Sequence, residues 1–138
     1  MNVGPDGILN TADDVITSII TANFGDDDPE GVAFDSARGI LFITDGVNAE
    51  VYKVTAGANG IFDGVDDQVT HFDTSSLGVS DPEGIEYNPD VNTLYLTGPQ
   101  NNDEIIDVTT DGAAVRVIDI SFANALRPAG LAYGPGSW

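Results

Sequence analysis

The sequence predicts an all-β chain made of antiparallel four-stranded units. Three observations predict it. A long segment repeats at an offset of 53 residues. Short apolar or alternating runs are separated by clusters of Gly, Pro, Asn and Asp. No stretch holds a helical period.

The repeat is clearest at Asp28-Pro29-Glu30-Gly31, which returns as Asp81-Pro82-Glu83-Gly84. Arg127-Pro128-Ala129-Gly130 is a third, weaker copy, 46 residues further on. Val32-Ala33-Phe34-Asp35 corresponds to Ile85-Glu86-Tyr87-Asn88 and to Leu131-Ala132-Tyr133-Gly134. Leu41-Phe42-Ile43-Thr44 corresponds to Leu94-Tyr95-Leu96-Thr97. Upstream, Gly4, Gly7, Asp13, Asp14 and Thr17 map to Gly57, Gly60, Asp66, Asp67 and Thr70 at the same offset. Two separate stretches sharing one offset argue for a structural repeat.

Each unit divides into four strands by its turn residues. In the first unit they span Gly31–Asp35, Ile40–Thr44, Glu50–Thr55 and Gln68–Asp73. In the second they span Gly84–Tyr87, Thr93–Thr97, Glu104–Thr109 and Ala114–Ile120. Val15–Thr21 reads as the last strand of a preceding unit, and Leu131–Tyr133 as the first of a following one. Phe122–Leu126 is at most one helical turn. Tyr52, Phe42, Tyr87 and Tyr95 lie in strands and read as core. Four strands in roughly 45–50 residues is the pattern of β-propeller blades. The expected divisions are 1–27 (end of a blade), 28–80 (a blade), 81–126 (a blade) and 127–138 (first strand of the next).

Pro29-x-Gly31-Val32-Ala33-x-Asp35, Gly39-x-Leu41-x-x-x-Asp45, Asn48 and Glu50-Val51-Tyr52-Lys53-Val54 together resemble the NHL-type propeller repeat. The gluconolactonase-like and SdiA-regulated six-bladed propellers are related, and the phytase-like propellers are a looser likeness. The resemblance implies a scaffold and no particular activity. The strands amount to about two and a half blades, whereas closure takes about 4–8. The chain is therefore expected to form an incomplete ring with open edges and an open apolar face. Its expected partners are a second copy of itself or the remainder of a longer propeller chain. The stretch after Met1 does not read as a signal peptide. Trp138 follows a Gly-Pro-Gly-Ser loop in a way that reads as a cut.

The charge balance narrows the functions. Asp and Glu number 23 against 4 Lys and Arg, for a formal net charge of −19. Such a surface repels nucleic-acid phosphates and anionic lipid headgroups and attracts cations. No run approaches the ~18 apolar residues of a spanning helix, so membrane insertion is not expected. There is no cysteine to form a disulfide.

The acids gather in two loops. One reads Gly4-Pro5-Asp6-Gly7-Ile8-Leu9-Asn10-Thr11-Ala12-Asp13-Asp14, the other Gly57-Ala58-Asn59-Gly60-Ile61-Phe62-Asp63-Gly64-Val65-Asp66-Asp67. Oxygen-bearing side chains stand at four matching places: Asp6, Asn10, Asp13 and Asp14 in one, and Asn59, Asp63, Asp66 and Asp67 in the other. Ile8-Leu9 and Ile61-Phe62 offer an apolar pair to anchor each loop. Ca2+ takes about 6–8 oxygens from carboxylates, amides, carbonyls and water. Three carboxylates, an amide and loop carbonyls suit it, and one Ca2+ is expected per loop. The competing reading is a long hairpin whose Asx side chains cap their own backbone. Thr110-Asp111-Gly112-Ala113 is a tight hairpin with too few oxygens for a site.

Glu30 and Glu83 fall at equivalent places near one rim. In gluconolactonase-like relatives, channel-facing acids and amides hold a catalytic divalent metal. Here Ala129 replaces the acid in the third copy, and Asp-Pro-Glu-Gly reads first as a turn. The single His71 reads as a surface or packed residue. No nucleophile elbow and no glycine-rich phosphate loop is present. The expected function is thus a calcium-binding extracellular or cell-surface module with a structural or adhesive role. A fragment of a metal-dependent hydrolase and a carbohydrate-binding propeller are the alternatives.

Overall fold

A computed structural model describes residues 4–15, 18–101 and 103–134 of the chain. It contains two four-stranded antiparallel sheets. The first runs β1 (Pro29–Asp35), β2 (Ile40–Asp45), β3 (Glu50–Thr55), β4 (Gln68–Asp73). The second runs β5 (Gly84–Asn88), β6 (Thr93–Thr97), β7 (Glu104–Thr109), β8 (Ala114–Asp119). Sequence order equals spatial order in both, so each sheet is a plain meander. No ring closes. No described helix is long and apolar enough to cross a membrane.

Side-chain oxygens set the hairpins. Asp35 Oδ1 accepts the amides of Ala37 and Arg38, and Gly39 follows with a φ of 68°. Asn88 Oδ1 plays the same part for Asp90, and Asn92 takes the left-handed position with a φ of 58°. Asp45 Oδ1 accepts from Asn48 in the β2–β3 turn. These Asx turns fix the registers Phe34↔Leu41 and Tyr87↔Leu94.

The main core lies between the sheets. Ala33, Phe42, Val51 and Val79 meet Ile85, Tyr87, Leu94, Leu96, Ile106 and Val108. The Phe42 and Tyr87 rings stack 6.1 Å apart. β1 lies against β5 so closely that a Cβ on Gly31 would stand 2.7 Å from the Glu83 carbonyl. Arg38 donates to Asp35, to the Tyr87 hydroxyl and to Asn92, and Lys53 pairs with Asp111 at 2.7 Å, so polar contacts tie the sheets at their margins. On the far face of the first sheet, Phe24, Leu41, Ile43, Tyr52 and Val54 form a second cluster, joined by Phe62 and Val69. β2 is therefore buried on both faces, while the outer strands β4 and β8 are mostly exposed.

Four strands, β3, β4, β6 and β7, have the bounds their sequence predicts. β1 starts earlier, because Pro29 pairs with Asp45 ahead of a register shift. β2 and β5 each extend one residue further, to Asp45 and Asn88, and β8 ends at Asp119. The strand expected at Val15–Thr21 is corrected. Val15 is an isolated bridge, 18–20 are outside any strand, and Ile16 and Thr17 lie outside the described residues. Thr21–Phe24 is instead a 3-10 turn, closed by Gly25 at a φ of 96°, which delivers Phe24 to the core. Leu131–Tyr133 is not in a strand either; it lies along the second sheet, where the Tyr133 hydroxyl donates to Asp90. Of the four aromatic residues expected in the core, Phe42, Tyr52 and Tyr87 are buried and Tyr95 is half-buried. Phe122 sits in a 3-10 turn, Ser121–Ala123.

If the seam between sheets carries the fold, Phe42→Ala will cost about 3–5 kcal/mol in urea unfolding, as for a fully buried aromatic. Phe34, half exposed on the opposite face, will cost less than half as much. Equal losses would place the stability elsewhere.

Candidate metal centre

The two acidic loops share one internal architecture. In the second loop Asp67 accepts the amides of Gly57, Asp63 and Gly64 at 3.1, 2.9 and 2.7 Å. In the first, Asp14 accepts those of Gly4, Asn10 and Thr11 at 3.2, 2.5 and 3.1 Å. Asp66 receives the Asn59 amide as Asp13 receives that of Asp6, at 3.3 and 3.4 Å. Asn59 and Asp6 close the same tight turn by accepting from Ile61 and Ile8. The sequence offset of 53 residues thus recurs bond by bond.

Glycine makes this packing possible. A Cβ on Gly57 would stand 2.2 Å from Asp66, and one on Gly4 would stand 2.2 Å from Asp13. Gly7 and Gly60 both hold a φ of 70°, which L side chains rarely adopt.

The loops differ in what they bring together. Ligand atoms of Asp63, Asp66 and Asp67 lie within 4.8 Å of one another. Among the described residues they are the one acid or histidine triad that does so. Asp6, Asp13 and Asp14 do not converge this way, and Asn10 stands where the second loop has Asp63. Asn10 supplies a left-handed backbone with a φ of 67° and donates its amide to Asp14. Asn59 adds its amide nitrogen to Asp63 at 3.2 Å, and Asp63 also accepts from Val65. The anchoring differs too. Phe62 joins the core of the first sheet and meets Phe34 edge-on at 6.4 Å, whereas Ile8, Leu9 and Ile61 are exposed. Asn23, in the Thr21–Phe24 turn, donates to the Asp63 carbonyl at 2.9 Å and fastens the second loop further.

Donated hydrogens favour the charged form of these acids. The amides of Gly64, Gly57 and Asp63 hold Asp67 below the usual carboxylate range, as those of Gly4, Thr11 and Asn10 do for Asp14. The Thr11 hydroxyl lowers Asp13. These carboxylates stay ionised at neutral pH while partly committed to their own backbone. Asp67 Oδ2 takes two amides, whereas Asp67 Oδ1, each oxygen of Asp63 and Asp66 Oδ2 take one donor apiece.

A second concentration of acids lies where the strands enter. Asp28, Glu30 and Asp81 surround Gly46, whose Cβ would stand 2.9 Å from Asp81 Oδ1. Partial burial, then Asp28, Glu83 and Asp81, raise Glu30, so both copies of the Asp-Pro-Glu motif bear on one rim. Glu30 belongs to β1, and Glu83 lies just ahead of β5. Asp26 is fully buried, with Oδ1 accepting from Asp28 and Oδ2 without a hydrogen bond. Burial first and the Asp45 charge second push it up to about 6. Asp45 goes the other way: burial opposes its ionisation, but Asn48 and Asp27 donors outweigh it. Nothing in the sequence marked Asp26 apart from its neighbours Asp27 and Asp28. His71 stacks on Tyr52 and lies 3.0 Å from Glu50, a packed surface position. Thr109–Ala113 is a hydrogen-bonded hairpin, with Gly112 at a φ of 84°.

No family model and no curated protein matches the chain. Solved structures do. A luciferin-regenerating enzyme aligns with a TM-score of 0.53 and 14% identity, covering 69% of this chain and 31% of its own. Hydrazine synthase from Kuenenia stuttgartiensis aligns with a TM-score of 0.54 and 19% identity, covering 89% of this chain and 28% of its own. Both are β-propeller proteins. The fold is β-propeller-like, and each four-stranded sheet is compatible with a propeller blade. The chain spans about a third of the length of these structures. At such identities the likeness concerns the fold alone.

The raised Asp26 gives a pH test. Its unfolded value lies near 4, so the folded chain holds the proton more tightly. Stability therefore falls as pH rises through 4 to 6, and the cost is complete above about 6. Asp26→Asn keeps an acceptor for Asp28 and removes the titration. Thermal melts at intervals from about pH 4 to about pH 7 will show the variant gaining on the parent as pH rises. Parallel curves would mean that Asp26 ionises as an ordinary carboxylate.

Proposed function

We propose that this chain is a calcium-binding module of an extracellular or cell-surface propeller with NHL-like repeats, serving a structural or interaction role. The observation that carries this reading is the Asp63, Asp66 and Asp67 convergence in a loop whose backbone is already folded around its carboxylates. Three like-charged acids at such range repel, each close pair costing about 1 kcal/mol in water-like surroundings. A divalent cation reverses that term. Asp63, Asp66 and Asp67 supply carboxylate oxygens, with Asp67 Oδ1 carrying only the Gly57 amide, and nearby loop carbonyls and water complete a hard-cation shell. The Gly4–Asp14 loop is the weaker of the two sites, with Asn10 in place of an acid.

The location follows from affinity. Exposed loops of this kind bind Ca2+ at roughly 10⁻⁴–10⁻³ M. Millimolar calcium outside a cell fills them, and cytosolic calcium does not. The role is structural because the acids sit at the β3–β4 connection, where a bound ion ties two strands. The entry-rim acids around Gly46 lie apart from that triad and form no comparable ligand group among the described residues.

Calorimetry with CaCl2 at millimolar concentration will detect binding, and the melting temperature will rise by RT ln(1 + [L]/Kd) converted to temperature. Asp66→Ala with Asp67→Ala will remove more than half of that rise. No heat of binding, or a double variant that responds like the parent, would leave the loops as self-capped hairpins.

A further inference from the structure

The internal seam between the sheets pairs a small side with an apolar side. β1 presents the small residues Gly31 and Ala33 to the second sheet, which answers with Ile85 and Tyr87 on β5. At the next step β5 presents Gly84, and a Cβ there would stand 3.2 Å from the Ala129 backbone. Leu131 and Tyr133, the counterparts of Ile85 and Tyr87, are half-buried, with Tyr133 bonded to Asp90 on the second sheet. The seam between the sheets thus joins a small-x-small side of β1 to an apolar-x-aromatic side of β5, and at the next joint Gly84 keeps the close approach while Glu86 stands where β1 has Ala33.

One of each side is left open. Val32 and Phe34 occupy on β1 the places that Ile85 and Tyr87 occupy on β5, by register with Ile43 and Leu41. Ile85 and Tyr87 are 3% and 6% exposed, but Val32 and Phe34 are 64% and 50% exposed. Beside them lies a mostly apolar cavity of about 230 Å³, lined by Ile19, Thr21, Pro29, Val32, Leu41 and Ile43 among others. At the other end Gly130 and Ala132 are exposed, and nothing lies within 4 Å of a Cβ on Gly130. They repeat the Gly-x-Ala of Gly31 and Ala33.

We propose that a second copy of this chain docks head to tail, its Gly130–Ala132 segment over Val32, Phe34 and the cavity beside them. The occupant is a copy because the chain carries both halves of a contact that it already makes internally, in the same residue chemistry. Such a contact is heterologous. Each docked copy exposes a fresh Val32 face, so assembly continues past the dimer. The charge of −19 per chain opposes it, and salt strengthens it by screening.

Analytical ultracentrifugation of the full chain in about 0.5 M NaCl tests this with two blocked variants. Both substituted positions are exposed, so folding is retained; circular-dichroism melts check it, and Phe34→Glu replaces Val32→Arg if needed. The parent will form species larger than a dimer. Val32→Arg and Ala132→Arg will each be monomeric alone, and an equimolar mixture will form a one-to-one dimer through the two unblocked sides. A monomeric parent overturns the proposal. So does an Ala132→Arg variant that associates like the parent while Val32→Arg does not, since that describes a two-fold contact of Val32 faces. Association retained in both variants would place the contact elsewhere and overturn it equally.

Discussion

Everything in this chain hangs on the close approach of β1 to β5. Glycine at position 31 lets the two backbones come near enough for Phe42 and Tyr87 to stack and for ten apolar residues to exclude water. A pair of meanders without that seam would each expose an apolar face to water. The polar ties respect it. Arg38 reaches Tyr87 and Asn92, and Lys53 reaches Asp111, at the margins where charge remains solvated.

The acidic loops stand outside this core and obey a different constraint. Their carboxylates are folded inward on amides, so the loop shape is set by charge-assisted hydrogen bonds more than by burial. The same bonds lower Asp14 and Asp67 and keep them charged. Phe62 and Asn23 pin the second loop to the sheet, and the first lacks an equivalent apolar anchor in Ile8 and Leu9. Two loops with one hydrogen-bond plan thus differ in anchoring and in the acids they bring together.

Most of the fold was legible because turn chemistry is local. Asp35, Asp45, Asn88, Gly39 and Gly112 punctuate the strands in the sequence as they do in space. The failures came where tertiary contact overrode pattern. Val15–Thr21 is rich in Val, Ile and Thr like a strand, yet the core claims Phe24 and Gly25 turns the chain to deliver it. Pro29 lacks an amide and reads as a strand boundary, but it sits opposite Asp45 at an irregular register. For the candidate site, the repeated oxygens were readable from spacing. Two things were not. The convergence of Asp63 with Asp66 and Asp67, and its lack around Asp6, depend on where amides draw each carboxylate. The burial of Asp26 depends on neighbours far along the chain.

The small-on-apolar seam also bears on how such a chain grows. Each unit meets only its neighbours, and the contacts within a unit are local in sequence, so an added unit brings its own strands and half of its own interface. Duplicating a stretch of this kind requires no compensating change elsewhere, because the joint it makes is one the protein has already solved. Drift can then act on the loops alone, exchanging Asn10 for Asp63 at matching positions while Gly31 and Gly84 stay fixed by lack of space. Lineages built this way would vary in loop chemistry and unit number while the joint between units stayed the same.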